Sequence, residues 1–314
     1  MRFKKNSIKE NIRDIIKYRI YNIPEEIDKS WKIRQAIKII DQRWPQTDDQ
    51  GGDAPVFIFS AGWRSGSTLM QRLAVSSKEL AIWGEPFDDS AIIPRLAYSL
   101  TPITKSWPDA HYFSEDNDLT AMSNQWIANL SPPFAYLKAS HKKFYENWLK
   151  TPAIERYGVK RWGIKEVRLT IDHARYLKWL FPNARFIFMY RNLFDAYRSW
   201  KGNQWKSSWP GYHSRSPIVF AKHWKMLLEG YLKGCSEVDG IMVCFENLVN
   251  RKIDLQEIAR HIQVSQIDEN VLDRKLDAYE QRKKKDRRKL TRTDVTLLKM
   301  VGGNLMKELG YKTP

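Results

Sequence analysis

Residues 55–70 read PVFIFSAGWRSGSTLM: an uncharged apolar run, a turn of Gly, Ser and Thr around one arginine, and the start of a second apolar stretch. The run 55–60 has neither charge nor alternation, the pattern of a strand buried on both faces. A short Gly-Ser-Thr turn between such a strand and a helix offers backbone N–H groups and a positive helix end to an anion. In the triphosphate version of this turn, GxxxxGK[ST], the lysine reaches the β- and γ-phosphates and the hydroxyl holds magnesium. Here the turn from Gly62 to Thr68 is one residue shorter, and Ser67 stands where that lysine would be. The cation, Arg64, lies ahead of the turn instead. The loop reads as a phosphate cradle that lacks the triphosphate signature.

Working outward, further apolar runs read as strands at 79–83 (ELAIW), 161–167 (RWGIKEV), 185–190 (RFIFMY) and 240–246 (GIMVCFE). Between them lie helical stretches: one from the loop through Leu73, one that Thr170 can cap and Pro182 ends, and NLFDAYRSW behind RFIFMY. A further helix starts at Ser216-Pro217 and stops at Gly234, with serine as N-cap and proline in the first turn. This alternation predicts an α/β fold of three layers, like that of the P-loop nucleotide hydrolases, with a central parallel sheet flanked by helices. Residues 1–50 form an N-terminal helical arm and linker, and 51–314 the main domain. The arm has helical periodicity at Ile8, Ile12, Ile15 and Ile16, then at Ile33, Ile37 and Ile40, with Pro24 dividing two helices. It either packs on the main domain or makes a peripheral contact with a membrane or partner. The polar run PQTDDQGGD (45–53) is the linker.

The chain carries 53 Lys and Arg against 36 Asp and Glu, a net +17, which implies an anionic partner without choosing its kind. Its two cysteines, Cys235 and Cys244, form neither a CxxC nor a Cys/His pair at ligand spacing, so no disulfide framework or metal site is indicated. The basic start lacks the apolar core of a signal peptide, and no later segment approaches a membrane span. A soluble, cytoplasmic protein is expected.

A second absence points the same way as the missing lysine. A triphosphate hydrolase needs an acidic residue ending a neighbouring strand to hold its metal, yet RFIFMY ends in Arg191. An arginine there can grip an extra phosphate bidentately without a metal. Ser199, on the helix that follows, can return toward the same anion.

Together these residues resemble the sulfotransferases that use 3′-phosphoadenosine 5′-phosphosulfate, in particular the membrane-type branch that includes carbohydrate and protein-tyrosine sulfotransferases. The resemblance implies that Arg64, Ser65, Gly66, Ser67 and Thr68 bind the 5′-phosphosulfate, and Arg191 and Ser199 the 3′-phosphate. CFENLV (244–249) is similar to the family's later strand and YExL segment, and 290–311, ending in LGY, to its C-terminal helix. The basic run 281–292 stands where the family has a loop over the 3′-phosphate, so Arg282, Lys283 and Arg292 are further candidates. Most such runs are merely solvated.

Sulfuryl transfer puts charge on the bridging phosphate oxygen, and by analogy with phosphoryl transfer, positioning and charge stabilisation carry the catalysis. Arg64 and Lys165 resemble the family's cations at that oxygen; an ordinary edge lysine is the alternative for Lys165. Glu85, in WGEPFDDSAIIPRL (83–96), stands where the tyrosine-directed branch has its general base, with Asp88 and Asp89 as alternatives. Pro86 replaces a second carboxylate of that branch and matches the Glu-Pro of many carbohydrate-directed or bacterial members. Arg95 either binds an acidic acceptor or ties its helix to the core. The reading is a metal-independent enzyme that yields adenosine 3′,5′-bisphosphate and sulfates a hydroxyl of a glycan or glycolipid. Tyrosine or small-molecule acceptors form the alternative within the class. A nucleic-acid-binding protein, suggested by the charge, and a degenerate P-loop kinase are the alternatives outside it. The tryptophans of NQWKSSWPGYH (203–213) read as core or as stacking surfaces, and none of the six histidines has a partner at ligand spacing.

Overall fold

A computed structural model describes residues 29–45, 52–86, 90–113, 119–124, 128–201, 216–274 and 289–312. The apolar runs form five strands, β1 (Val56–Ser60), β2 (Leu80–Gly84), β3 (Arg161–Glu166), β4 (Arg185–Tyr190) and β5 (Gly240–Cys244). They lie in the order β2-β3-β1-β4-β5, and every pair is parallel. The expected α/β architecture is therefore present, with the strand that carries the loop at its centre. The last strand is shorter than its sequence suggests, because Phe245 and Glu246 begin a helix instead of ending the strand.

The helices that support the site are α1 (Trp31–Arg43), α2 (Ser67–Val75), α3 (Ile92–Tyr98), α4 (Ile171–Leu180), α5 (Leu193–Lys201), α6 (Pro217–Gly234), α7 (Phe245–Val249), α8 (Leu255–Ile262) and α9 (Arg292–Glu308). The strand period of two sorts side chains between two cores. Phe57, Phe59, Trp162, Ile164, Phe186 and Phe188 face the larger one, with α1, α4, α5, α6 and α9. Val56, Ile58, Ile187, Met189 and Val243 face the smaller one, under α2 and α8. Parallel strands buried on both faces need no polar alternation, which is why their sequences read as unbroken apolar runs.

Local signals hold with two exceptions, the Ser216 N-cap and the expected Gly234 C-terminal cap, since Gly234 is the last residue of α6 and Cys235 takes the cap position. The N–H of Thr170 donates to Nδ1 of His173 (3.0 Å) at the start of α4, so this end is capped as expected. Ser216 precedes Pro217, but its buried hydroxyl finds no partner among the described residues. Proline and packing, not a side-chain cap, start α6. The arm's second helix, α1, buries Ile33, Ala36 and Ile40 in the larger core, and Nε1 of Trp179 on α4 donates to Oδ1 of its Asp41 (2.9 Å). The helix expected before Pro24 and most of the 45–53 linker lie outside the described residues. Among the described residues no helix is long and apolar enough to cross a membrane.

Candidate functional site

The register of β1 and β4 pairs Ser60 with Met189, so the chain leaves both strands at the same level of the sheet. The loop after Ser60 and the residue after Tyr190 must therefore be neighbours. The N–H of Ala61 donates to the carbonyl of Met189 (2.8 Å), and the Ser65 hydroxyl donates to the carbonyl of Ala61 (3.1 Å), closing the turn. Trp63 pins it from beneath, stacked on Trp200 and His223 with ring centroids 4.8 Å away in each case. Arg64 and Gly66 take the left-handed φ values +65° and +91°. Gly66 cannot be replaced without cost, because a Cβ there would lie 2.2 Å from Cδ2 of Phe245. Among the described residues nothing accepts from the N–H groups of Ser65, Gly66, Ser67 and Thr68, at the start of α2. They are the open donors of a helix beginning, available to an anion.

The expected second anion contact meets this loop. Nη1 of Arg191 donates to the carbonyl of Arg64 (3.1 Å), and Nε of Arg64 donates to the Ser199 hydroxyl (2.9 Å). The Trp63–Trp200 stack explains the approach, since it docks the loop on the helix turn that carries Ser199. Arg191 also lies over the ring of Phe245, 4.4 Å from its centroid, while its carbonyl accepts from Nε1 of Trp224 (3.1 Å). Arg64 thus points to Ser199, on the side expected for the 3′-phosphate.

A second cluster stands at the ends of β2 and β3. Gly84 pairs with Lys165, and the next N–H, that of Glu85, donates to the Lys165 carbonyl (2.8 Å). Glu85 itself has φ +38°, a left-handed value uncommon for a residue with a Cβ. Its Oε1 accepts from Nζ of Lys165, and its Oε2 from Nη2 of Arg168 (3.1 Å). Both oxygens of the carboxylate are therefore held by cations. Arg168 is 0% exposed and Lys165 6%. Burial brings the Arg168 guanidinium down to about 10, against the opposing pull of Glu85, so it stays charged at neutral pH.

Lys165 and Glu166 are adjacent on a strand and point to opposite faces. Glu166 therefore lies on the side of the larger core, buried, and lines a small pocket with Pro86, Ala91, Ile92, Ile93, Pro94 and Leu169. Burial first, then the charge of Glu85, pushes its carboxyl up to about 8, with Lys165 opposing. His223 is buried beside Arg168, and burial followed by that cation brings its imidazole down to about 3, which leaves it neutral.

Sequence reasoning missed Arg168, Glu166 and His223. A charged pair straddling Val167 at the end of an apolar strand was the available signal for the first two. Arg95 is exposed on α3. Arg292 is exposed in the first turn of α9, whose buried Asp294 pairs with Lys201, two residues beyond Ser199. Asp88, Asp89, Arg282, Lys283 and the 203–213 tryptophans lie outside the described residues. Among the described residues no three His, Cys, Asp or Glu side chains converge as metal ligands.

A family model described as "Sulfotransferase family" matches residues 55–269, more than half of the chain. No curated protein matches. Among solved structures, the chain is similar to the sulfotransferase domain from the Synechococcus PCC 7002 olefin synthase, with 17% identity, a TM-score of 0.41, and 86% of this chain and 100% of that one covered. It is also similar to the sulfotransferase domain from the curacin biosynthetic pathway, at 13% identity and a TM-score of 0.41, covering 84% and 99%. Sulfotransferase STF1 from Mycobacterium tuberculosis H37Rv follows at 13% and 0.39, covering 88% and 82%.

Proposed function

The chain belongs to the sulfotransferase family, and on that premise we propose that it moves a sulfuryl group from 3′-phosphoadenosine 5′-phosphosulfate to a hydroxyl of a glycan or glycolipid. One observation carries the reading: the contacts of Arg191 with the Arg64 carbonyl and of Arg64 with Ser199 bring two sequence-distant anion binders together. A doubly phosphorylated adenosine asks for two such binders in one cleft. The open N–H groups of Ser65–Thr68 and the missing Cβ at Gly66 fit its 5′ end. Arg191 and Ser199 take the 3′-phosphate, with Arg292 as a further candidate among the described residues.

When bound, the donor supplies an activated sulfuryl group whose departure leaves charge on a phosphate oxygen. Lys165 neutralises that charge, and Arg64 joins it by turning from Ser199, to which it donates in the free protein. Glu85 receives the acceptor's proton. An acceptor alcohol is too weak an acid to be stripped in advance, so the proton transfer accompanies S–O bond formation. In the free protein Lys165 occupies Oε1 of Glu85. As Lys165 turns to the phosphate charge, that oxygen opens to the acceptor, while Arg168 keeps the carboxylate aimed through Oε2. The Glu85-Pro86 pair supports a carbohydrate acceptor over a tyrosine. Free Cys235 and Cys244 support a cytoplasmic setting.

Thermal denaturation with adenosine 3′,5′-bisphosphate, and separately with ATP and magnesium, tests the donor. The bisphosphate should raise the melting temperature without a metal, and Arg191→Ala should abolish that rise. Stabilisation by ATP-magnesium alone would reject the proposal. Incubation with labelled donor and glycans, glycolipids or tyrosine peptides tests the acceptor, and label on the peptides alone would move the assignment to tyrosine.

A further inference from the structure

The contacts behind Arg191 use the two segments that the proposed chemistry leaves without a task, CFENLV and the C-terminal LGY. Glu246, in the first turn of α7, faces Arg191 with Oε1 at 3.9 Å from Nε, and the same oxygen accepts from the N–H of Asn192 (3.0 Å). Its other oxygen accepts from the hydroxyl of Tyr311 (2.8 Å) and from Sγ of Cys244 (3.3 Å). The Arg191 guanidinium is thus bounded on its Nε side by a carboxylate, on its Nη1 side by the Arg64 carbonyl and on one flat face by Phe245. A guanidinium fixed in plane presents its fork to a phosphate with less lost side-chain entropy than one that must first be ordered.

We propose that Glu246 and Tyr311 are positioning residues for Arg191, and that the last residues of the chain thereby set the preference for a nucleotide with a 3′-phosphate. The inference rests on the donor site proposed above. Tyr311 holds the Glu246 carboxylate by a hydrogen bond, Glu246 sets its charge 3.9 Å from the Arg191 Nε, and neither needs to touch the nucleotide. The sign of the effect separates this from simple electrostatics. Removing a negative charge near an anion site should tighten phosphate binding by Coulomb's law, whereas removing a brace should weaken it.

The test is a titration calorimetry series on the full chain with adenosine 3′,5′-bisphosphate and adenosine 5′-phosphate, comparing the ratio given by the dissociation constant of the 5′-phosphate divided by that of the bisphosphate. Glu246→Gln should lower the ratio on the order of 10-fold, the worth of one charged interaction, and leave adenosine 5′-phosphate binding unchanged. Tyr311→Phe, a milder change that serves if the first variant does not fold, should lower it about 3-fold, the worth of one ordinary hydrogen bond. A merely structural role would weaken both ligands together and keep the ratio. A wild-type preference that survives in the folded variants, or rises in Glu246→Gln, overturns this inference alone. No preference in the wild type overturns the donor site with it.

Discussion

The two halves of the cleft hold charge by opposite means. At the loop end, the binding groups are main-chain N–H donors that nothing among the described residues accepts, one glycine, and an arginine resting on a carbonyl and a ring. At the Glu85 end, a carboxylate sits between a lysine and an arginine that are almost wholly buried, with a second carboxyl behind the strand. The first half offers an anion donors that cannot titrate. The second half stores its charges already paired, and in the proposed chemistry one pair has to part first. Changes in the loop half should therefore appear in donor affinity, and changes in the Glu85 half in turnover.

The largest effect expected from this contrast is in Glu85→Gln. It should cost about 10³-fold in kcat as the proposed general base is lost, with unchanged affinity for adenosine 3′,5′-bisphosphate. Equal losses in both measurements would break the division. Gly66→Ala is the converse case. Its Cβ meets Phe245 and its φ is left-handed, a combination worth about 3 kcal/mol of strain. Bisphosphate binding should weaken by about 10²-fold, and Phe245→Leu should restore part of it by removing the ring atom in the way. Arg168→Met sharpens the second half. Glu85 keeps Lys165 but loses its permanent partner, so kcat should fall by about 10-fold, as for one charged hydrogen bond. Affinity for adenosine 3′,5′-bisphosphate should stay unchanged, because Arg168 holds the Glu85 carboxylate and not the proposed donor groups. An equal fall in bisphosphate affinity together with a lower melting temperature would mean that Arg168 supports only the fold.

The same contrast explains what the sequence disclosed. The loop half is a local device: strand, turn and helix start are contiguous, and Arg191 ends an apolar run that is legible by itself. Strand positions followed as well, because burial on both faces leaves an unambiguous apolar run. The Glu85 half is assembled across the sheet. That Lys165 meets Glu85 depends on β2 pairing with β3 in the register Gly84 to Lys165, which a single sequence does not specify. That Glu166 is buried depends on the face to which β3 turns it. Arg95, beside the same GE…IIPR frame, lies on the solvent side of α3, a distinction its spacing did not carry. The Ser216 cap failed for a related reason: tertiary packing took the helix start and left the hydroxyl enclosed.

The smallest effect tests whether the stored charge includes Glu166. Its carboxyl is raised to about 8 in the folded protein, against about 4.3 in an unfolded chain. Between those values the folded state keeps a proton that the unfolded state has lost, so this residue lowers stability progressively as pH rises through the window. Lys165 opposes the shift and Glu85 adds to it, and Tyr231 stands near on α6, its hydroxyl donating to the Leu169 carbonyl beside the pocket. Glu166→Gln removes the titration and keeps the shape. The variant should melt with the wild type near pH 5, exceed it increasingly toward pH 8 and hold a constant advantage above. Urea melts at pH 5, 7 and 9 measure this directly. Parallel curves at all three would show that Glu166 is already ionised in the folded protein at neutral pH, and the Glu85 half would then carry two negative charges against its two buried cations rather than one.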